Sequence, residues 1–189
     1  MRQYTHIILM GMKHTGKSTL GELLAKNLHQ AFYDTDTVIA KLSGKTPREL
    51  WDSGGAPLMI EWETSACRYL TALREQNGSI IATGGGLADN PEALKILKET
   101  GLCIYLDTPF EVLFGRIMAS AEKDGRLPPF LTGGDPRELF EKLFTRRTSI
   151  YATMADVHIH SLNKTPVAIT QEITEYIRYE QRTNIHSRR

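Results

Sequence analysis

The sequence predicts an α/β domain with a mainly parallel sheet, and three observations carry that expectation. Short apolar runs alternate with amphipathic segments along the chain. Signals of a capping residue followed by proline mark helix starts between those runs. The first apolar run leads through a glycine-rich turn into a helical pattern, the strand–turn–helix order that a phosphate-binding loop requires.

Taken in order, strands are expected near residues 5–10 (THIILM), 31–33 (AFY), 79–83 (SIIAT), 102–107 (LCIYLD) and 156–160 (DVHIH). Thr46-Pro47-Arg48-Glu49 places an N-cap threonine before a proline at the first helical position, with a glutamate three residues on, so a helix begins there. Asn90-Pro91, Thr108-Pro109 and Thr165-Pro166 repeat the cap-then-proline signal. Residues 120–136 (SAEKDGRLPPFLTGGDP) hold three prolines and three glycines and no apolar period. A loop of that length in a small domain is either functional or disordered. The tail RYEQRTNIHSRR reads as a frayed basic end with no assigned role.

Bulk composition narrows the function. At 189 residues the chain is read as a single domain spanning 1–189. A chain of that length buries roughly 70% of its unfolded surface and needs no disulfide or metal to fold. With 23 Lys plus Arg against 22 Asp plus Glu, the net charge of +1 gives no basic surface for nucleic acid. Cys67 and Cys103 lie far apart with no CxxC, and read as buried, reduced thiols of a cytoplasmic protein. The run IILM is too short for a signal or a membrane span, and no run of eighteen apolar residues occurs. The expectation is a cytoplasmic monomer whose partner is a small molecule.

The residues that carry chemistry begin at Gly11. Gly11-Met12-Lys13-His14-Thr15-Gly16-Lys17-Ser18, with Thr19 following, fits G-x-x-x-x-G-K-[ST]. In such a loop successive backbone N–H groups point at phosphate oxygens, aided by the positive end of the next helix. Gly11 and Gly16 permit the tight path, Lys17 reaches the β- and γ-phosphates, and Ser18 offers a hydroxyl to Mg²⁺. The alternative, a glycine turn with a surface lysine, does not account for the strand before it and the helix after it. Lys13 is read as solvent-facing, and His14 is not read as a metal ligand. His158 and His160 share a strand face but have no evident third ligand.

The acceptor side of the reaction is suggested by FYDTDTVIA. Asp34 and Asp36 fall at the carboxyl end of the second strand, where open α/β sheets bind ligands. One carboxylate can orient an acceptor hydroxyl and take its proton while the other lies near the metal; Asp36 as a plain helix N-cap is the alternative. Gly84-Gly85-Gly86 ends the third strand. It allows either close backbone approach to a small ligand or a plain flexible turn.

Together, the P-loop, DTD, GGG, an arginine within the 120–136 segment and RRTSIY near the end resemble the shikimate kinase family, and the similarity covers nearly the whole chain. The resemblance implies a P-loop kinase fold: a five-stranded parallel sheet in order 2-3-1-4-5 flanked by helices. It also implies a substrate-binding segment at about 34–62 and a closing lid at about 120–136. It implies ATP and Mg²⁺, and phosphorylation of shikimate to shikimate 3-phosphate. In that family the second acid of DTD holds the acceptor hydroxyls, here Asp36, and the first belongs to the magnesium shell, here Asp34. The glycine triplet contacts the substrate, here Gly84, Gly85 and Gly86. The lid arginine stabilises the transferring phosphate, here Arg126, and the late arginine grips the substrate carboxylate, here Arg147.

The chain also departs from the family pattern. Counted from Asp36, GAPLMIEWE (55–63) keeps the last acid as Glu63. Ala56 stands where the family has glutamate, Met59 where it has phenylalanine, and Ile60 where it has the second carboxylate-binding arginine. His14 stands where the P-loop usually has glycine. Trp51 matches an aromatic position beside the family pocket, or is simply core. Another small hydroxylated metabolite is therefore the alternative acceptor. A nucleotide-binding regulatory protein without catalysis is the alternative class, although Lys17, Ser18, Asp34, Asp36 and Arg126 are all present.

Overall fold

The structure, a computed structural model, describes residues 4–73 and 75–186, with side chains through Glu180. Among these residues five strands form one sheet: β1 (His6–Met10), β2 (Ala31–Asp34), β3 (Ser79–Ala82), β4 (Gly101–Asp107) and β5 (Val157–His160). Their order is β2-β3-β1-β4-β5 and every pair is parallel. This is the expected 2-3-1-4-5 arrangement, and all five strands fall where the apolar runs placed them.

Period-two alternation splits the central strand between two cores. Ile8 and Met10 face a cluster that includes Ile39, Leu70, Phe140 and Tyr151. Ile7 and Leu9 face a second cluster with Leu20, Leu24 and Ile173. Helices therefore cover both faces, which is why β1 is apolar at nearly every position. Its one polar residue, His6, is buried and bonds through Nδ1 to Ser79 Oγ at 2.8 Å on the neighbouring strand.

Among the described residues seven α-helices follow the strands: α1 (Lys17–Leu28), α2 (Thr35–Ser43), α3 (Pro47–Ala72), α4 (Pro91–Thr100), α5 (Phe110–Asp124), α6 (Pro136–Met154) and α7 (Pro166–His186). The cap signals explain most of their starts. Thr46 and Glu49 form a full capping box, Asn90 accepts from the Ala93 N–H, and Thr165 Oγ1 accepts from the Ala168 N–H. At Thr108-Pro109 the expectation fails. Pro109 is the N-cap of α5, and the Thr108 hydroxyl pairs with Ser161 Oγ at 2.7 Å, tying the ends of β4 and β5 together.

Two further readings are corrected. Residues 120–124 of the expected loop are the last turn of α5, so the irregular segment runs from Gly125 to Asp135. Within it a short 3-10 turn, Pro129–Leu131, seats Leu131 fully in the core. The tail does not fray at Arg178, because α7 continues to His186; residues 187–189 lie outside the described residues. No helix among the described residues is long and apolar enough to cross a membrane.

Candidate active site

The carboxyl ends of β1, β2 and β3 open into a cavity of about 430 Å³. Lys13, Asp36, Glu63, Gly85, Arg126 and Arg147 line it, drawn from elements spread over most of the chain. Such placement follows from the sheet order: β1 is central and the loops after β1 and β3 are neighbours at that edge.

The phosphate loop follows β1. Gly11 (φ 148°) and Gly16 (φ 94°) hold the positive φ values that the turn needs, and Gly16 caps α1. His14 also sits at φ 65°, an uncommon conformation for a side-chain-bearing residue. Its carbonyl accepts from Arg116 Nη1 of α5 at 2.9 Å, a contact that pins this corner. Burial, then the charges of Lys13, Lys17 and Arg116, lower the His14 pKa, opposed by Asp124. Met12 and Thr15 are buried while Lys13, Gly16, Ser18 and Thr19 are exposed. Lys13 is thus solvent-facing as expected, but it also lines the cavity.

Lys17 is only 7% exposed. Its ammonium donates to the carbonyls of Gly11 and Met12 at 2.9 and 2.8 Å, closing the loop on itself. Burial lowers its pKa to about 8, opposed by Asp36 and Asp34. A triphosphate in the loop would offer this cation the anionic oxygens that favour its charged form.

The two acids of DTD divide their work in a way the sequence left open. Asp34, not Asp36, is the N-cap of α2: its Oδ1 accepts from the Asp36 N–H at 2.9 Å. Its Oδ2 accepts from Ser18 Oγ at 2.7 Å. Hydroxyl and carboxylate thus meet as a hard-oxygen pair beside the phosphate loop, the donor chemistry that suits Mg²⁺. Among the described residues no three His, Cys, Asp or Glu side chains group as a metal site. A magnesium ion here would have to complete its shell with phosphate and water.

With the cap supplied by Asp34, the Asp36 side chain is free to face the cavity. Solvent reaches it there, yet enough protein surrounds it that burial raises its carboxyl above the usual carboxylate range. Asp34 adds repulsion, while Lys17 and Lys13 oppose the shift. A Cβ on Gly84 would lie 2.6 Å from Asp36 Oδ1, and one on Gly85 would lie 2.5 Å from the Lys13 N. The glycines are therefore required by the protein itself, which brings the third-strand turn against the phosphate loop and the acid. Thr35 fixes the same junction, its Oγ1 accepting from the Gly84 N–H at 2.7 Å.

Sequence reasoning missed several residues that complete the wall. Asp89 Oδ2 accepts from Arg147 Nε and Nη2 at 3.1 and 2.7 Å, and Arg146 lies 2.9 Å from its other oxygen. Arg147 Nη1 donates to the Gly85 carbonyl at 3.1 Å. Tyr151, fully buried one turn further along α6, accepts from the Ala88 N–H at 3.1 Å and donates to the same Gly85 carbonyl at 3.2 Å. RRTSIY thus staples the glycine turn as well as reaching the cavity. Glu63 is 7% exposed, with Oε2 accepting from Asn90 Nδ2 at 3.2 Å. Burial pushes its carboxyl up to about 7. Nothing in LADN (87–90) marked Asp89 as an arginine partner, since the pairing spans 58 residues.

The opposite wall is apolar. In α3 the helical path breaks at Gly55 (φ 61°, ψ −153°), so its first eight residues turn separately from the rest and carry Trp51 toward the cavity. Trp51 and Ile60 are large apolar side chains left 40% and 39% exposed, and both line the cavity. Trp51 is therefore cavity wall rather than core. Arg126, exposed, reaches the cavity from just past the end of α5.

Comparison with known proteins points the same way as this geometry. The family model "Shikimate kinase" matches residues 13–178. A shikimate kinase of Geobacter sulfurreducens is 32% identical over 176 residues, 93% of this chain and 92% of its own length. One from Microcystis aeruginosa is 36% identical over 168 residues, 88% of this chain and 83% of its own. Among solved structures, a shikimate kinase from Acinetobacter baumannii in complex with shikimate superposes with a TM-score of 0.82 at 27% identity, covering 94% of this chain and 95% of that one. Matched by the family model over most of its length and by such relatives over nearly all of it, this chain belongs to the shikimate kinase family.

Proposed function

We propose that this protein transfers the γ-phosphoryl group of ATP to a hydroxyl of shikimate, giving shikimate 3-phosphate. The observation that carries the reading is the convergence of the phosphate loop, the cavity-facing Asp36 and Arg147 on one cavity, in a chain of this family.

Each residue has a role that its geometry supports. Backbone N–H groups of residues 11–18 cradle the β- and γ-phosphates at the start of α1. Lys17, already desolvated, neutralises charge that develops on the phosphates being separated. Asp36 accepts a hydrogen bond from the acceptor hydroxyl, orients it toward the γ-phosphorus and takes its proton. The raised carboxyl of Asp36 strengthens it as that base. Arg147 holds the acceptor carboxylate with the hydrogens its guanidinium does not spend on Asp89 and Gly85. Arg126 approaches the transferring phosphoryl from the segment at residues 125–135, which acts as the lid and excludes water. Ser18 and Asp34 would hold Mg²⁺, which when bound neutralises the β- and γ-oxygens.

The whole chain then works as one kinase domain, with acceptor contacts from α2 and α3. We place it as a cytoplasmic monomer, the location supported by two buried cysteines, Cys67 and Cys103, that form no disulfide. Steady-state ADP release with ATP, Mg²⁺ and shikimate tests the function. Shikimate-stimulated turnover with a phosphorylated product is the expected result. Release no faster than with ATP alone, in a folded protein that binds ATP, overturns it.

A further inference from the structure

The floor of the acceptor cavity is unevenly charged. Asp36, Glu63 and Asp89 all line it, from α2, α3 and the turn after β3. Lys13 and Arg126 line the phosphate-loop and lid sides, and Arg147 is the cation beside Glu63 and Asp89, with three of its five N–H groups already serving Asp89 and Gly85. Arg48, on the far wall, pairs with Asp52 at 3.1 Å.

Glu63 stands apart from the other two acids. Its Oε2 is bonded by Asn90, whereas Oε1 accepts no hydrogen bond among the described residues. That oxygen borders Gly86, where an added Cβ would lie 3.8 Å from Glu63 Oε1 and 3.6 Å from Arg147 Nη2. One turn before Glu63 on the same face is Ile60, which brings no charge, and its carbonyl is occupied by Asn90 Nδ2 at 2.9 Å. Glu63 as a residue is almost wholly buried, but Oε1 is not one of the buried oxygens without a partner: it opens on the cavity, where a ligand's donor can reach it. A ligand that supplies a donor there gains a bond to a carboxylate, and a protonated amine gains most because the bond is charge-assisted.

Glu63 Oε1 and Arg147 Nη2 flank one point, so they can be met together by an amine and a carboxylate carried on a single carbon. We infer that the cavity also accepts hydroxylated α-amino acids as phosphoryl acceptors, with the amine on Glu63 and the carboxylate on Arg147. This rests on the phosphotransfer reading of the site and adds an acceptor class to it. The chemistry is unchanged. The acceptor hydroxyl oxygen bonds to the γ-phosphorus, and the bond from that phosphorus to the β–γ bridging oxygen breaks. ADP leaves with the electron pair, and the hydroxyl proton passes to Asp36. Burial and the neighbouring Asp36 and Asp89 raise the Glu63 carboxyl, and a bound ammonium would reverse that by favouring the charged form.

The test is ADP release with ATP, Mg²⁺ and matched acceptors: serine, threonine, homoserine and 4-hydroxyproline, against glycerate and 4-hydroxybutyrate, which lack the amine, with shikimate alongside. At least one amino acid should give a phosphorylated product by mass spectrometry. Its kcat/KM should exceed that of the amine-free counterpart by roughly ten-fold or more, the worth of a charge-assisted bond. Glu63→Gln, close to isosteric, should remove that preference by lowering kcat/KM for the amino acid toward that of its amine-free counterpart. Shikimate turnover with none for any amino acid overturns this inference and leaves the shikimate reading standing. An amine preference that survives in a folded Glu63→Gln protein overturns it too. Turnover with neither class removes the phosphotransfer reading and this inference with it.

Discussion

Replacing Ile60 with arginine tests the acceptor wall most directly. The side chain is 39% exposed and lines the cavity, so a guanidinium has room to enter it without unpacking the core. It would lie one helical turn from Glu63 on the same face of α3, close enough to pair with the buried carboxylate. A second charge-assisted contact to the shikimate carboxylate is worth about 1.5–3 kcal/mol, or roughly ten- to hundred-fold in affinity. Two features reduce the gain. Glu63 will take part of the new charge, and Arg147 already gives three of its five N–H groups to Asp89 and Gly85. The expected outcome of Ile60→Arg is a fall in the KM for shikimate of up to roughly ten-fold with kcat little changed, because the contact acts on ground and transition states alike. Amine-bearing acceptors should move the other way, as the new cation competes for Glu63. Steady-state kinetics on parent and variant, with thermal melting to confirm folding, reads both. An unchanged or raised KM for shikimate in a folded variant would refute the account of this wall.

Asp36→Asn should abolish phosphoryl transfer yet leave ATP affinity, measured by calorimetry, within about two-fold, since the acid acts on the acceptor. Arg126→Ala should lower kcat by roughly ten-fold or more with a smaller effect on ATP binding, and hydrogen exchange over residues 125–135 should slow when nucleotide and acceptor bind. Equal protection with and without ligands would count against a lid. Tyr151→Phe strips a partner from the buried Ala88 N–H and should cost about 1–3 kcal/mol of stability; acceptor KM should rise while ATP affinity holds, because the hydroxyl braces the glycine turn rather than the phosphate loop. For pH, the Glu63 carboxyl is raised from 4.5 to about 7. The folded state therefore binds its proton more tightly, and stability present below about pH 4.5 is lost as pH rises through 7, by about 3 kcal/mol. Denaturant titrations at pH 5 and pH 8 should show Glu63→Gln losing less stability than the parent over that interval; identical slopes would refute the shift.

What was legible in the sequence was local. The phosphate loop, the Thr46–Glu49 capping box and the five strands depend on spacings of a few residues, and the structure bears out each of them. Where two local readings competed, the chain alone did not choose. Asp34 and Asp36 are equally good N-caps by type, and the choice of Asp34 depends on where β2 ends and on the Ser18 hydroxyl sixteen residues earlier. Thr108-Pro109 has the same letters as Thr46-Pro47, but the threonine was claimed by Ser161 across the sheet. The loop from 120 was overdrawn because its first five residues carry no apolar stripe of their own. They are helical as the continuation of α5, whose final turn ends on Gly125 in the left-handed conformation.

The electrostatic character of the acceptor site was illegible for a related reason. Arg147 could be placed in the cavity from its motif, but its effective charge depends on Asp89, brought beside it by the turn after β3. Glu63 looked like a retained acid, yet its properties follow from Asn90 on one oxygen and from Ile60 offering nothing to the other. A single substitution at 60 thus changes more than one contact. It leaves a carboxylate whose second oxygen opens on the cavity and whose neighbours Asp36 and Asp89 are themselves acidic. The preference of the cavity for an anion or for an ammonium is set by that balance rather than by any one arginine. Sequence position 60 is where the balance can be reversed.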